Sequence, residues 1–377
     1  MKGNKTNFIR INLLKKPLQV IAVILSLAVL MTACAPSVAQ SNPTPQAVLG
    51  STPVVINDQM NSAISAAKFA LGEQLQLGVD AIKLTDIQQV QWSDGCLGVQ
   101  QPGIMCAMHV VDGYKITLSA NDQTYEIRSN LDGSQIVPAD GSTPNTTGVS
   151  FKIQNGEGCQ SFLISESNGV AYGPCNGKLE TVPFIDAGRS TELDHFVTTF
   201  KSFSFDLPNG TVSLIGSGST APSVDEERSL SLWAKLVADE TQAGRSSAAN
   251  GLVIGWHREG GLAGFCDDLS VYTTGLVSAS SCRNGQAKDL GQTWLDNEQL
   301  TQLYQWIDQL GRFEYDPKTG STTDAMTITL AFAGHGNTKV AESDQQAIET
   351  FTEKLFPESG DMGFVPNLNH TASRIRP

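Results

Sequence analysis

Histidine is the commonest general base and a common metal ligand. The 377-residue sequence holds five: His109, His195, His257, His335 and His370. The candidate grouping of a base with carboxylates is His257 with Asp267 and Asp268, to which a fold could bring His335. Such a set could act as a base with its orienting acid, or as metal ligands. Solvated polar residues on a surface would give the same pattern, and that is the expectation here. Gly216-Ser217-Gly218-Ser219 does not fit the GxSxG strand-to-helix elbow of serine hydrolases. Gly216-x-Gly218 also lacks the third glycine of a dinucleotide fingerprint, and reads as a tight strand-to-helix turn. Asp225, Glu226 and Glu227 stand where a helix begins, and there the helix dipole accounts for them. No CxxC or HxxxH spacing occurs, so neither a metal nor another cofactor is expected.

At the amino terminus Lys2, Lys5, Arg10, Lys15 and Lys16, with no acidic residue among them, lead into an apolar run from Leu18 to Met31. A basic start and a short apolar core are the layout of a secretory signal, and the core is short for a spanning helix. The run closes on Met31-Thr32-Ala33-Cys34, which resembles the lipobox of bacterial lipoproteins, with Met31 where Leu is usual. The resemblance implies a signal peptide over residues 1–33 and a diacylglyceryl group on Cys34. The chain would then be lipid-anchored to the cell membrane or outer membrane, facing the extracytoplasmic side. An ordinary signal cut near Ala35 to Ala39 and an uncleaved amino-terminal anchor are the alternatives. Residues 34–55, with Pro36, Pro43, Pro45 and Pro53 among Ser, Asn, Thr and Gln, read as a tether. A double acyl anchor is strong enough, at about 0.8 kcal/mol per buried methylene.

With Cys34 assigned to lipid, six cysteines remain in three local pairs: Cys96 with Cys106, Cys159 with Cys175, and Cys266 with Cys282. An even number in an exported chain argues for disulfides, and the repeat described below selects this connectivity. Free buried thiols are the alternative. Paired thiols leave no cysteine nucleophile. Removing residues 1–33 takes away five basic residues and no acidic one, which leaves 38 acidic against 20 basic residues and a net charge of about -18. Nucleic acid and anionic lipid surfaces need a cationic face and are poor partners for such a body.

The first folded region spans residues 56–138. Met60, Ile64, Ala67, Leu71 and Leu75 share one helical face, with Gly78 placed to stop the helix. Strand-like segments follow around residues 82–92, 110–118, 124–127 and 135–137, with turn signals at Asn121-Asp122 and Asp132-Gly133. Trp92, Asp94, Cys96, Leu97, Gly98, Pro102, Gly103, Cys106, Gly113 and Tyr114 resemble a small module of uncharacterised secreted bacterial proteins. Its helix-then-meander order is similar to PepSY-type and cystatin-like modules. The resemblance implies no catalytic role. Trp92 and Tyr114 are expected in packing, while the loop from Ser93 to Met105, cinched by its disulfide, could present a binding surface.

Residues 139–148 read as a linker, and residues 149–248 and 249–358 as two copies of one unit, with a tail over 359–377. Cys159 and Cys175 recur as Cys266 and Cys282, an offset of 107 that also relates Phe162, Ile164 and Val170 to Leu269, Val271 and Val277. At the same offset Leu193, Phe196, Phe200 and Phe203 meet Leu300, Leu303, Ile307 and Leu310 on a helical face, with Ser190 or Asn297 as N-cap. A longer loop at Asp316 to Ala325 then shifts the offset to 118, so that Gly216, Gly218, Leu230, Trp233 and Val237 meet Gly334, Gly336, Ile348, Phe351 and Leu355. His195 faces Gln302 and His335 faces Ser217, so the scaffold requires neither histidine.

The expected fold class is therefore α+β: a small helix-plus-antiparallel-sheet domain, then two tandem α+β repeats, each with a disulfide-closed β-hairpin. The expected function is non-enzymatic binding of an unknown protein or envelope ligand, with the membrane reached through the anchor. Two alternatives compete. A projecting rigid loop would favour an inhibitor or partner of an extracellular protease or cell-wall enzyme. A deep pocket lined by histidines and carboxylates would favour an envelope hydrolase built on His257.

Overall fold

The computed structural model describes residues 57–100, 103–156, 158–247, 251–315 and 326–357. Cys34, the residues read as signal (1–33) and tether (34–55), and the tail over 359–377 lie outside them. The first helix, α1 (Asp58–Leu75), starts where the Asn57 side chain accepts the Met60 N–H, and ends on Gln76 in the left-handed conformation, two residues before Gly78. The strands β1 (Lys83–Trp92), β2 (Val111–Ala120), β3 (Gln123–Asn130) and β4 (Ile136–Pro138) follow as an antiparallel meander in sequence order. Asn121 and Asp122 both take positive φ, as a two-residue hairpin turn requires.

Each repeat is four strands, a helix, two strands and a helix. The first holds β5 (Gly148–Asn155), β6 (Gly158–Ser165), β7 (Gly169–Pro174), β8 (Glu180–Val182), α2 (Gly188–Thr199), β9 (Lys201–Leu207), β10 (Gly210–Ser217) and α3 (Val224–Ala243). The second holds β11 (Leu252–Gly260), β12 (Phe265–Tyr272), β13 (Leu276–Ser281), β14 (Lys288–Trp294), α4 (Asn297–Gln309), β15 (Phe313–Tyr315), β16 (Met326–Phe332) and α5 (Glu342–Leu355). The two sheets have the same order, β8-β7-β6-β5-β10-β9 and β14-β13-β12-β11-β16-β15. Disulfides Cys159–Cys175 and Cys266–Cys282 close the same hairpin in each, and a third joins Cys96 to Cys106. Three disulfides in one body fit an oxidising, extracytoplasmic compartment. No helix among the described residues is long and apolar enough to cross a membrane.

The Gly-x-Gly turns have one cause in both copies. A Cβ on Gly216 or Gly334 would collide with the carbonyl oxygen of Phe200 or Leu310, and one on Gly218 or Gly336 with the backbone of Thr199 or Gln309. Phe200 makes a parallel bridge to Thr220, as Leu310 does to Thr338.

These contacts revise the register of the first helix of each repeat. Phe200 and Leu310 both cap their helices, so the offset there is 110, not 107. Leu193, Phe196, Val197 and Phe200 thus correspond to Leu303, Trp306, Ile307 and Leu310, and His195 to Gln305. The β13–β14 connection, which carries a short helical turn at Arg283–Gly285, is longer than β7–β8 and absorbs the difference. Phe203 pairs with Leu214 and Phe313 with Phe332, so the offset rises from 110 to 118 across the second repeat's loop, whose residues 316–325 lie outside the described ones. Ser190 sits inside α2 rather than capping it, and α4 is capped by Asp296, one residue before Asn297.

The module and the first repeat share a core, so residues 139–148 do not separate two independent bodies. Ala63, Ala66, Ala67 and Ala70 of α1 have no exposed surface. Small side chains let the helix sit between two sheets: Ile116, Leu118 and Ile127 of the first, and Leu163, Ala171 and Ile215 of the second, join one cluster with it. The other face of the second sheet packs on α2 and α3, with Phe151, Phe162 and Val212 against Phe196 and Trp233. The third sheet packs Trp256, Leu269 and Leu330 on Leu303 and Ile348 of α4 and α5.

Candidate functional site

Side chains alternate across a strand, and that separates the cluster named from the sequence. His257 on β11 pairs with Asp268 on β12. Its Nδ1 lies 2.8 Å from Asp268 and its Nε2 3.5 Å from Glu259. The hydrogen bond to Asp268 holds the imidazole pKa above its ordinary value. Carboxylates at both ring nitrogens favour the protonated imidazolium over the neutral ring. Asp267 is buried on the opposite face, 2.8 Å from Arg258 and 2.9 Å from Arg283, and also accepts from Ser281. Burial pushes its pKa up, but hydrogen bonds from Arg283, Arg258 and Ser281 outweigh this and hold the carboxyl below its usual range. His335 lies in the Gly334–Gly336 turn, its backbone N–H donating to Ile307. Four residues that a catalytic or metal site would need together thus occupy three places.

Two clefts of about 660 Å³ lie elsewhere. One runs between α1 and the β9 edge, past Asp58, Ser62, Lys201 and Phe203. The other runs between α4 and α5, past Gln299, Gln302, Trp306 and Phe351. Neither is lined by a histidine. Among the described residues, the polar atoms of Asp80, Cys159 and Cys175, and those of Asp94, Cys96 and Cys106, lie within 4.8 Å of one another. Every sulfur in those groups is in a disulfide and offers no thiolate.

The module's aromatic residues are structural. Tyr114 is buried in the shared core, and Trp92 donates its indole N–H to the Ser129 carbonyl while Arg128 lies 4.9 Å from its ring centroid. The loop between β1 and β2 is built differently on its two legs. Its first leg is fixed: the Asp94 carboxylate accepts the N–H groups of Cys96 and Gly98, Gln135 donates to Gly95 and Arg128 to Leu97, and Leu97 has no exposed surface. The Cys96–Cys106 bond and a Gly95-to-Ala107 backbone hydrogen bond of 2.8 Å tie the second leg to the first. That second leg carries Ile104, Met105, Met108 and Val110, exposed by 53, 98, 89 and 64%. Four exposed apolar side chains within seven residues of a braced loop are the mark of a contact surface. The Ser93 to Met105 loop signal found this feature but stopped short of Met108 and Val110.

A family model described as a domain of unknown function (DUF8738) matches residues 64–138, which cover most of α1, the loop and β1 to β4. No curated protein matches the chain, and no solved structure does.

Proposed function

We propose that this chain is a membrane-anchored extracytoplasmic lipoprotein that acts by binding another protein, not by catalysis, through the second leg of the β1–β2 loop. The exposure of Ile104, Met105, Met108 and Val110 above a pinned base is the observation that carries this reading. Methionine is flexible and polarizable, and suits a surface that must fit a protein partner. The braced base limits the ordering cost of docking. The address rests on the lipobox resemblance at Met31 to Cys34, with the three disulfides in support.

The anchor and the surface are tested separately. A fatty-acid probe should label the wild type and not Cys34→Ala; equal labelling of both would remove the anchor. A photo-crosslinker placed next to Met108 should capture a discrete envelope protein in cells. The double substitution Met105→Ser, Met108→Ser should abolish that capture without changing the melting temperature. Unchanged capture would sink the contact surface. The same braced loop also favours a second reading, an inhibitor or partner of an envelope or extracellular protease. On that reading the captured protein is a hydrolase whose activity falls on adding the wild-type body and does not on adding the double variant.

A further inference from the structure

The second leg of the β1–β2 loop carries two thioethers and an imidazole within five residues, on Met105, Met108 and His109. Met105 and Met108 are almost wholly exposed, and His109 is exposed as well. From Gly103 to Val111 the leg holds no charged side chain.

The loop fixes the stretch between these donors and leaves the donors free. Cys106 is in its disulfide, and the Ala107 carbonyl accepts the N–H of Gly95 at 2.8 Å and that of His109 at 3.0 Å. The second of these bonds spans two residues and turns the chain at Met108, as in a γ-turn. Gly95 also makes room for the imidazole, because a Cβ there would lie 3.0 Å from His109 Cε1. The ring is thus seated on the fixed leg of the loop. Among the described residues, neither of its nitrogens has a hydrogen-bond partner. Met105 and Met108 flank the pinned pair of Cys106 and Ala107, each on an unbranched side chain with three rotatable bonds. One seated donor and two mobile arms can close on an ion of low coordination number without moving the backbone.

The donor types select the ion. Thioethers are soft and neutral and favour Cu(I), whereas magnesium, calcium and manganese take oxygen ligands. Structural zinc and iron–sulfur sites draw on thiolates, and here Cys96 and Cys106 are joined to each other. The carboxylate beside that disulfide, Asp94, is engaged by the N–H groups of Cys96 and Gly98. A thioether, unlike a thiol, is not consumed by disulfide formation in an oxidising compartment.

We infer that Met105, Met108 and His109 form a binding site for a soft monovalent cation, Cu(I), with Ag(I) as its redox-inert analogue. The site shares the exposed leg with the contact surface proposed above but needs no protein partner.

The test uses the chain from residue 34 with Cys34→Ala, in which the other six cysteines are in disulfides and no thiol competes for the ion. It is titrated with Ag(I) in chloride-free buffer, and with Cu(I) against a colorimetric Cu(I) chelator. A single ion should bind, shifting the methyl resonances of Met105 and Met108 and the ring resonances of His109 while those of Met60 and Met326 stay in place. Met105→Leu with Met108→Leu keeps the apolar bulk and removes both sulfurs, and should weaken binding by on the order of ten-fold or more, as should His109→Ala. Zn(II) should leave the methionine resonances unmoved. No uptake, undiminished uptake by the leucine variant, or shifts confined to other residues would overturn the proposal. The two readings of the leg fail separately. Absent ion binding with capture next to Met108 intact sinks the ion site alone, and ion binding without capture sinks the contact surface alone.

Discussion

Two histidines of this chain respond to pH in opposite directions because their surroundings differ. His195 lies against Trp294 with the rings 6° from parallel, and burial pushes its pKa from 6.5 down to about 4. The unfolded chain takes up a proton near pH 6.5 and the folded one only near pH 4. The stabilisation from the neutral ring is therefore complete above pH 6.5 and is lost as pH falls from there toward about 4, by roughly 3 kcal/mol at most. His195→Phe keeps the stack and removes the titration, so urea midpoints measured between pH 7 and 4 should fall less for the variant than for wild type. His257 has a raised pKa, so its contribution is complete below its unfolded value of 6.5 and is lost as pH rises through the folded one. Arg189 donates to Glu192 and Glu240, all three buried, and Thr274 donates to Glu192. Glu192→Ala would leave the Thr274 hydroxyl without its acceptor and Arg189 with Glu240 alone. It should cost about 3 kcal/mol by chemical denaturation. The sequence shows Arg189 and Glu192 three apart on a helix, which is ordinary on a solvated face. Glu240 of α3 and the Thr274 turn of the second repeat, both distant in sequence, make them interior.

At the scale of elements, α1, the four-strand meander and both disulfide-closed hairpins were legible because each has a strong local signature. The Asn57 cap, the alternation of Tyr114, Ile116 and Leu118, and the Asn121-Asp122 turn are examples. The helix register was not legible. A shift of three residues is close to one helical turn, so Leu300, Leu303 and Ile307 make as good an apolar stripe as Leu303, Ile307 and Leu310. Cap and bridge contacts, which the stripe does not encode, decide between them. Because Gly216 and Gly334 each abut a helix-end carbonyl, Gly216→Ala and Gly334→Ala should destabilise by similar amounts, on the order of 2 kcal/mol or more. Phe200→Asp and Leu310→Asp should form a matched pair with larger losses, each placing an unpaired charge where the native residue is 2% and 5% exposed. Denaturation curves in which only one member of either pair responds would break the equivalence. In the candidate site, the grouping of His257 with both carboxylates is divided by the strand period: Asp267 and Asp268 are adjacent in sequence and therefore opposite on a strand.

On the scale of the whole described body, the units are joined by a recurring device, a buried or nearly buried helix glutamate that accepts hydrogen bonds from a tight turn of the next unit. Glu192 takes Thr274, and Glu73 on α1 takes Ser165 and Asn168, each at 2.7 Å. The second junction explains why the linker suggested a separation that the fold does not have. The alanines of α1 carry little hydrophobic signal, so the sequence shows one apolar face where the helix buries two. Phe69 is fully buried in the cluster that also holds Leu163, Ala171, Leu179 and Ile215 of the first repeat. Each large apolar side chain buried there contributes about 1.5–3 kcal/mol. A protease site inserted between residues 139 and 147 should therefore be cut without releasing the module, and the two pieces should elute together from a sizing column. Phe69→Asp, by placing a charge between the two sheets, should let the cut pieces separate or prevent folding before cleavage. Separation of the cut wild-type pieces without denaturant would show that α1 belongs to the module alone and that the shared core does not hold the molecule together.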